Sequence, residues 1–246
     1  MTELSIAHSL HNVVARDGAR PLITQLWAGG QRAELSCRTY ENNVAKAANL
    51  LQDDADAGPD SAVLFQLPLH WQTSVWLTAC ALVGVHVHVI EFDAQVTSNK
   101  PIAAFVDEPH AHQDFPYPTY VVSLHPLGLP AGEIPAGTID LAREVRGFSD
   151  VFVPYSVTDA QTPWLAVDAE VLTQGQALER AVELARSCGL EEHGRLLVTG
   201  ELTANTVLAL AAMPLSVNAS IVINSDASAD IDTVISVEKC TAVLGR

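Results

Sequence analysis

With 246 residues, 48% of them hydrophobic, the chain has enough apolar material for one large core or two lobes of ordinary size, which excludes a disordered polymer. A formal net charge of −16, with lysine only at Lys46, Lys100 and Lys239, argues against nucleic acid and against an anionic membrane surface as partners. An acidic surface of this kind chiefly keeps a protein in solution, with recognition of a basic partner as the alternative.

The first residues, Met1-Thr2-Glu3-Leu4, lack a basic region followed by an apolar stretch, so the expectation is a cytoplasmic protein without a signal peptide. Residues 5 to 17 form an amphipathic helix, and Leu22 to Trp27 pairs with Ala33 to Cys37 around the turn Ala28-Gly29-Gly30. From Thr39 and Tyr40 a helix carries Val44, Ala47, Ala48 and Leu51 on one face, followed by the buried strand Ala62-Val63-Leu64-Phe65. A second helix, Trp71 to Val83, and a second strand, Val85 to Ile90, complete the pattern; the most apolar window, Val75 to Ile90, is interrupted by Gly84, His86 and His88 and falls short of the roughly 20 residues of a membrane span. His70 and Trp71 stand at a strand C-terminus, the usual ligand side of an α/β sheet, although a Trp at a helix start more commonly buries its ring as a lid on the packing. His86 and His88 alternate on the second strand and so share a face. They make weak metal candidates, with His110 and His112 nearby and Asp93, Asp107 and Glu108 as oxygen donors, and hydrogen-bonded core histidines as the plainer reading.

Residues 107 to 150 differ in character, crowded by Pro109, Pro116, Pro118, Pro126, Pro130 and Pro135. Proline at that density breaks helices and central strands, so a surface linker or loop-rich insertion is expected. It ends at Glu144-Val145-Arg146, which reads as a short extended segment placing Glu144 and Arg146 on one face between Asp140 and Asp150. These residues are either a polar ligand-binding cluster at a cleft between lobes or a structural ion pair and loop cap formed by Arg146.

At Thr173 the helix–strand–helix–strand pattern begins again, at a constant offset of 134 residues (173 − 39). Leu178, Ala181, Val182 and Ala185 recur at helical spacing, then Leu196-Leu197-Val198, an apolar stretch from Asn205 to Leu215, and a strand from Ala219 to Ile223. Continuously apolar strands of this kind are buried and parallel. The expected fold is therefore a three-layer α/β architecture of two related subdomains, each a mostly parallel sheet flanked by helices. Its divisions are 1–106 for the first subdomain with its helix and hairpin, 107–150 for the connection and 151–246 for the second. The four cysteines, Cys37, Cys80, Cys188 and Cys240, are scattered and read as reduced structural thiols.

Thr39-Tyr40-Glu41, Ala48-Asn49-Leu50-Leu51, Gly58-Pro59-Asp60, Val63, Pro68 and Gly84 resemble the opening subdomain of acyl-CoA synthetases and other AMP-forming ligases. Leu124-His125-Pro126-Leu127-Gly128, Glu144-Val145-Arg146, Asp150 and Phe152 resemble a family of short actinobacterial proteins distantly similar to those AMP-binding enzymes. The resemblance implies a phosphate loop rich in Ser, Thr and Gly, with a Lys to neutralise ATP. The corresponding interval, Ser156 to Trp164, has no Gly and no Lys and adds Asp159. The later Tyr-Gly-x-Thr-Glu and Thr-Gly-Asp motifs have no counterpart, and the C-terminal domain that supplies the ligases' catalytic Lys is not represented. Nor is there a Gly-x-Ser-x-Gly elbow, a Walker loop or a Gly-x-Gly-x-x-Gly turn.

No catalytic residue and no cofactor is therefore assigned. Three readings stand: a non-catalytic relative of the ligases acting as a binding, regulatory or scaffold protein, with a protein partner or a second copy; a binder of AMP, acyl-adenylate or CoA in an inter-lobe cleft; and an enzyme fragment completed by a partner chain. A cleft plugged by aromatic or aliphatic side chains favours the first and an open cleft lined by Arg146 the second. A large exposed apolar patch favours the third.

Overall fold

The computed structural model describes residues 4–90, 101–167 and 170–245. Helix α1 (Ile6–Asp17) is capped by the Ser5 hydroxyl and leads into the hairpin β1 (Pro21–Trp27) and β2 (Gln31–Ser36). Then follow α2 (Cys37–Asp53), β3 (Ala62–Gln66), α3 (Trp71–Val83), β4 (His86–Val89), β5 (Pro101–Asp107), β6 (Thr119–Val122), β7 (Ile139–Asp140) and α4 (Leu141–Glu144). The second half comprises β8 (Pro163–Val167), β9 (Glu170–Thr173), α5 (Gln174–Ser187), β10 (Arg195–Val198), α6 (Ala204–Ala211), α7 (Met213–Ser216), β11 (Ser220–Asn224), α8 (Ile231–Glu238) and β12 (Ala242–Leu244). Among the described residues no helix is long and apolar enough to cross a membrane.

Two sheets result, one in the order β7-β6-β5-β3-β4-β8-β9 and one in the order β12-β10-β11-β1-β2. Every strand pair is parallel except β1 with β2 and β8 with β9. Alternation along the strands sorts side chains between the faces. Val63 and Phe65 of β3, Leu196 and Val198 of β10, and Ile221 and Ile223 of β11 enter one core shared with the helices between the sheets. Leu64 and Val222 face outward into two smaller clusters. The mixed α/β architecture with largely parallel sheets is thus the one the apolar runs predict.

The repeat holds in three dimensions. α2 and α5 end 134 residues apart (187 − 53), and β3-α3-β4 matches β10-α6-α7-β11. Each copy is also preceded by a hairpin, and the hairpins are exchanged: β1 of the first copy lies beside β11 of the second, while β8 of the second lies beside β4 of the first. Each sheet consequently takes strands from both sides of the 107–150 connection. The reason is that β4 and β11 each leave an edge open, and a hairpin, whose own bonding is local, covers whichever edge the chain brings near. The 107–150 stretch is likewise more than a linker. It adds β6 and β7, and its loops lay Ala111, Phe115, Tyr117, Ala131 and Ile134 over the outward face of Leu64, Ala104 and Val106.

Buried polar groups tie the layers. The Tyr40 hydroxyl of α2 bonds Ser74 Oγ at 2.8 Å and Thr78 Oγ1 at 2.7 Å on α3, and the Ser74 hydroxyl donates to the Leu210 carbonyl of α6. Gln174, fully buried, accepts the Ile6 N–H and donates to the Ala81 carbonyl, joining α1, α3 and α5. On the outer face of the smaller sheet Arg195 reaches Glu238 at 2.7 Å and Thr24 at 2.9 Å. Arg32 first, and Arg195 with it, hold the Glu238 carboxyl below the ordinary carboxylate range despite its burial.

Candidate functional site

His70 and Trp71 lie where the two sheets meet, between the end of β3 and the start of α3. Their neighbours come from both halves. The His70 ring sits 5.8 Å from Trp27 at the end of β1 and 5.7 Å from Trp71. Gln25 of β1 accepts the Trp71 N–H at 2.8 Å and donates to the Ser225 hydroxyl beyond β11, so a single buried amide couples the first turn of α3 to the smaller sheet. Trp71 Nε1 donates to the Pro126 carbonyl, and Gln72 Nε2 donates to the Ser123 carbonyl. Gly128, at φ +61°, lies so close over the indole that an added Cβ would stand 3.2 Å from the ring. Only glycine combines that backbone conformation with that approach. Trp71, 8% exposed, is thus a lid beneath the 123–128 loop.

The His70 Nδ1 accepts the Gln72 N–H, capping α3. Neutral His70 must then carry its proton on Nε2, a buried atom with no hydrogen-bond partner among the described residues. Burial pushes the imidazole down to about 3, against a smaller opposing pull from the Leu124 carbonyl. A histidine at about 3 when folded and at its ordinary 6.5 when unfolded contributes stability that is complete above pH 6.5 and is lost as pH falls towards 3. Between pH 6.5 and 5 the loss is about 2 kcal/mol. His70→Asn keeps a capping acceptor and removes this titration, so the urea midpoint of the variant is expected to change less between pH 7 and 5 than that of the wild type.

One cavity beside Trp71 is small. A cavity of about 50 Å³ is lined by Trp71, Gln72, Trp76, Gly128, Leu141 and Val145, room for water but far below the roughly 300 Å³ at which small-molecule pockets begin.

The remaining candidates do not join His70 and Trp71. Glu144-Val145-Arg146 is not extended: Glu144 ends α4 and Val145–Gly147 forms a 3-10 turn, because Asp140 accepts the Ala142 and Arg143 N–H groups and starts a helix. Glu144 and Arg146 are exposed, and no ion pair of Arg146 occurs among the described residues. The ion pair of this region is Arg143 with the buried Asp140, at 3.0 Å. Asp150 is exposed on a separate groove of about 530 Å³, shared with Leu10, His11, Arg38 and Glu41.

His86 and His88 occupy one face of β4, as the strand period requires. Among the described residues no group of three or more His, Cys, Asp or Glu is placed to hold a metal ion. Asp93 lies outside the described residues. Instead, the buried Asp107 at the end of β5 accepts from the His110 ring and from the His110 backbone N–H, capping a 3-10 turn.

The Ser156–Trp164 interval begins as an exposed loop held by Asp159, whose carboxylate accepts the Gln161 N–H and the Thr162 hydroxyl. Pro163 and Trp164 already belong to β8, with Trp164 fully buried and its Nε1 donating to the Leu77 carbonyl. A turn organised by a carboxylate repels phosphate.

Comparison with known proteins agrees with this architecture. No family model matches the chain. Over 130 residues it is 37% identical to the "TIGR03089 family protein" of Mycobacterium tuberculosis, a match covering 52% of this chain and 53% of that protein. Among solved structures, the acyl-CoA synthetase of Brucella canis superposes with a TM-score of 0.76 at 13% identity, over 96% of this chain and 46% of the other. The acetoacetyl-CoA synthetase of Streptomyces lividans gives 0.70 at 17% identity, over 90% and 38%. The fold is therefore that of a portion of acyl-CoA synthetases, and the chain spans less than half of the length of those enzymes. The match to the mycobacterial protein spans about half of each partner.

Proposed function

We propose that this chain is a non-catalytic, degenerate relative of the adenylate-forming ligases that acts as a cytoplasmic binding, regulatory or scaffold protein. The observation that carries this reading is the packing between the sheets: the Trp27, His70 and Trp71 rings, tied by Gln25, stand together where a ligand cleft between lobes is expected, and the cavity that Trp71 lines with residues of α2, α3 and α4 holds only about 50 Å³. The loop held by Asp159 supports it. Nucleotidyl transfer rests on positioned positive charge at the phosphates, and the Ser156–Trp164 interval offers a carboxylate and no Lys or Arg.

A second reading, an enzyme fragment completed by a partner chain, is favoured by one observation, the exposed apolar run Val151, Val153, Tyr155 and Val157. Such a partner would have to bring the cations and also displace Trp71 from its packing. ATP–pyrophosphate exchange by the purified chain, with acetate and with a long-chain fatty acid, separates the proposal from catalysis. The expected result is no exchange above the protein-free blank; exchange proportional to protein concentration would sink the non-catalytic reading.

A further inference from the structure

The imidazole of His70 is fixed by what its two nitrogens do. Nδ1 accepts the Gln72 N–H at 3.2 Å and so caps α3, while the buried Nε2 has no hydrogen-bond partner among the described residues. The side chain is buried between Trp27 of β1 and Trp71 of α3. Burial and the Leu124 carbonyl are what act on its proton, and no charged side chain does. The elements around it agree. β1 carries no ionisable residue, and α3 only Cys80, ten residues on (80 − 70). In the 123–128 loop His125 is exposed, its Nδ1 accepting the Leu127 N–H, and Asp226, next to Ser225, is taken up by the Ser228 N–H and hydroxyl.

Protonation removes this cap. An imidazolium carries N–H on both nitrogens and has no acceptor, so the Gln72 N–H loses its partner. The new charge also stands at the N-terminus of α3, where the helix dipole is itself positive. The Trp27 and Trp71 rings attract a cation weakly, and neither offers an acceptor to the two N–H groups. The same turn holds the loop above it: Trp71 Nε1 donates to the Pro126 carbonyl, Gln72 Nε2 donates to the Ser123 carbonyl, and Gly128 lies on the indole. Gln25 accepts the Trp71 N–H at 2.8 Å. Loosening the first turn of α3 therefore loosens the 123–128 loop, whereas β10 and β11 bond one another without either.

We propose that His70 is the pin of an acid-sensitive latch: its neutral ring fastens the first turn of α3 and the 123–128 loop, and its protonation lets this segment open while the sheets stay folded. The inference goes beyond the non-catalytic reading, and its test uses no ligand, so the two stand or fall separately. The sign follows from burial. The ring titrates at about 3 when the latch is closed and at its ordinary 6.5 once open, so closure is complete above pH 6.5 and weakens as pH falls towards 3. Well inside that window each pH unit multiplies the open population nearly tenfold, and from pH 7 to pH 5 the factor is roughly 25.

The test is native-state hydrogen exchange read by NMR at pH 7 and pH 5 on three protons, the Trp71 and Gln72 amides and the Trp71 indole N–H. Each is expressed as a protection factor, so that the pH dependence of the exchange chemistry itself divides out. The expected result is a fall in protection of roughly 25-fold for all three. Their exchange at pH 5 is expected to be nearly independent of low urea, as for an opening that exposes little surface, whereas the Leu197 and Val222 amides exchange through urea-sensitive global unfolding. His70→Asn keeps a capping acceptor and cannot take the proton, so the change with pH is expected to disappear there and to persist in His125→Asn. Unchanged protection between the two pH values, the same fall in His70→Asn, its loss in His125→Asn, or a urea dependence at Trp71 and Gln72 equal to that of Leu197 would overturn the proposal. The wild-type urea dependence and His125→Asn decide it even where His70→Asn does not fold.

Discussion

Trp71→Ala lowers the unfolding free energy by about 3–5 kcal/mol, the range for emptying a buried Trp site. The side chain is 8% exposed, its indole N–H holds the Pro126 carbonyl, and its ring lies under Gly128. Truncation removes the apolar area and enlarges the small cavity, and it also frees the loop that the indole pins. Urea denaturation with an unchanged m-value measures the first effect, and faster limited proteolysis between His125 and Gly137 measures the second. A residue poised only for ligand contact would lose binding on truncation while leaving stability nearly intact.

Phe105→Ala is expected to cost a similar 3–5 kcal/mol. Phe105 is fully buried in β5 and touches three rings: Phe65 at 5.2 Å, Trp76 at 5.3 Å and Tyr120 at 5.2 Å between centroids. These contacts join three adjacent strands, β6, β5 and β3, to α3. Phe105→Leu, which keeps most of the volume, is expected to cost less than about 1.5 kcal/mol. Equal losses for the two substitutions would mean that ring geometry, and not filled volume, governs this part of the core.

Local periodicity carried much of this fold into view. The runs Ala62–Phe65 and Leu196–Val198 read as buried strands because both of their faces are apolar, and both are central. The Ala28-Gly29-Gly30 turn marked the first hairpin, with φ +77° at Gly29 and at Gly30. What was hidden is non-local. Nothing in the Pro21–Ser36 hairpin states that it will lie beside Ser220–Asn224 of the other copy, since backbone pairing is indifferent to sequence distance. The second hairpin is hidden in the sequence because Pro163 and Trp164 fall at the end of the interval that the resemblance matches to a phosphate loop.

The candidate site was legible only in part. His70 and Trp71 could be placed by strand and helix period, but Gln25, Trp27 and Ser225, which complete their surroundings, arrive through the exchanged hairpin and β11. A glutamine inside the apolar strand Leu22-Ile23-Thr24-Gln25-Leu26 was the available signal, because a fully buried amide demands partners. Arg146 lies in a 3-10 turn after α4 and not on an extended segment with Glu144, because Asp140, two residues before Ala142, starts a helical turn.

The central claim is the proposal that this chain holds no nucleotide, acyl-adenylate or CoA between its sheets. Calorimetric titration of the purified protein with ATP, AMP, CoA and a non-hydrolysable acyl-adenylate mimic tests it most directly, with Arg146→Ala as a control variant. The account predicts no binding heat from any of the four. Saturable binding of AMP or of the mimic, whether or not Arg146→Ala abolishes it, would contradict it and establish a working ligand site in this chain.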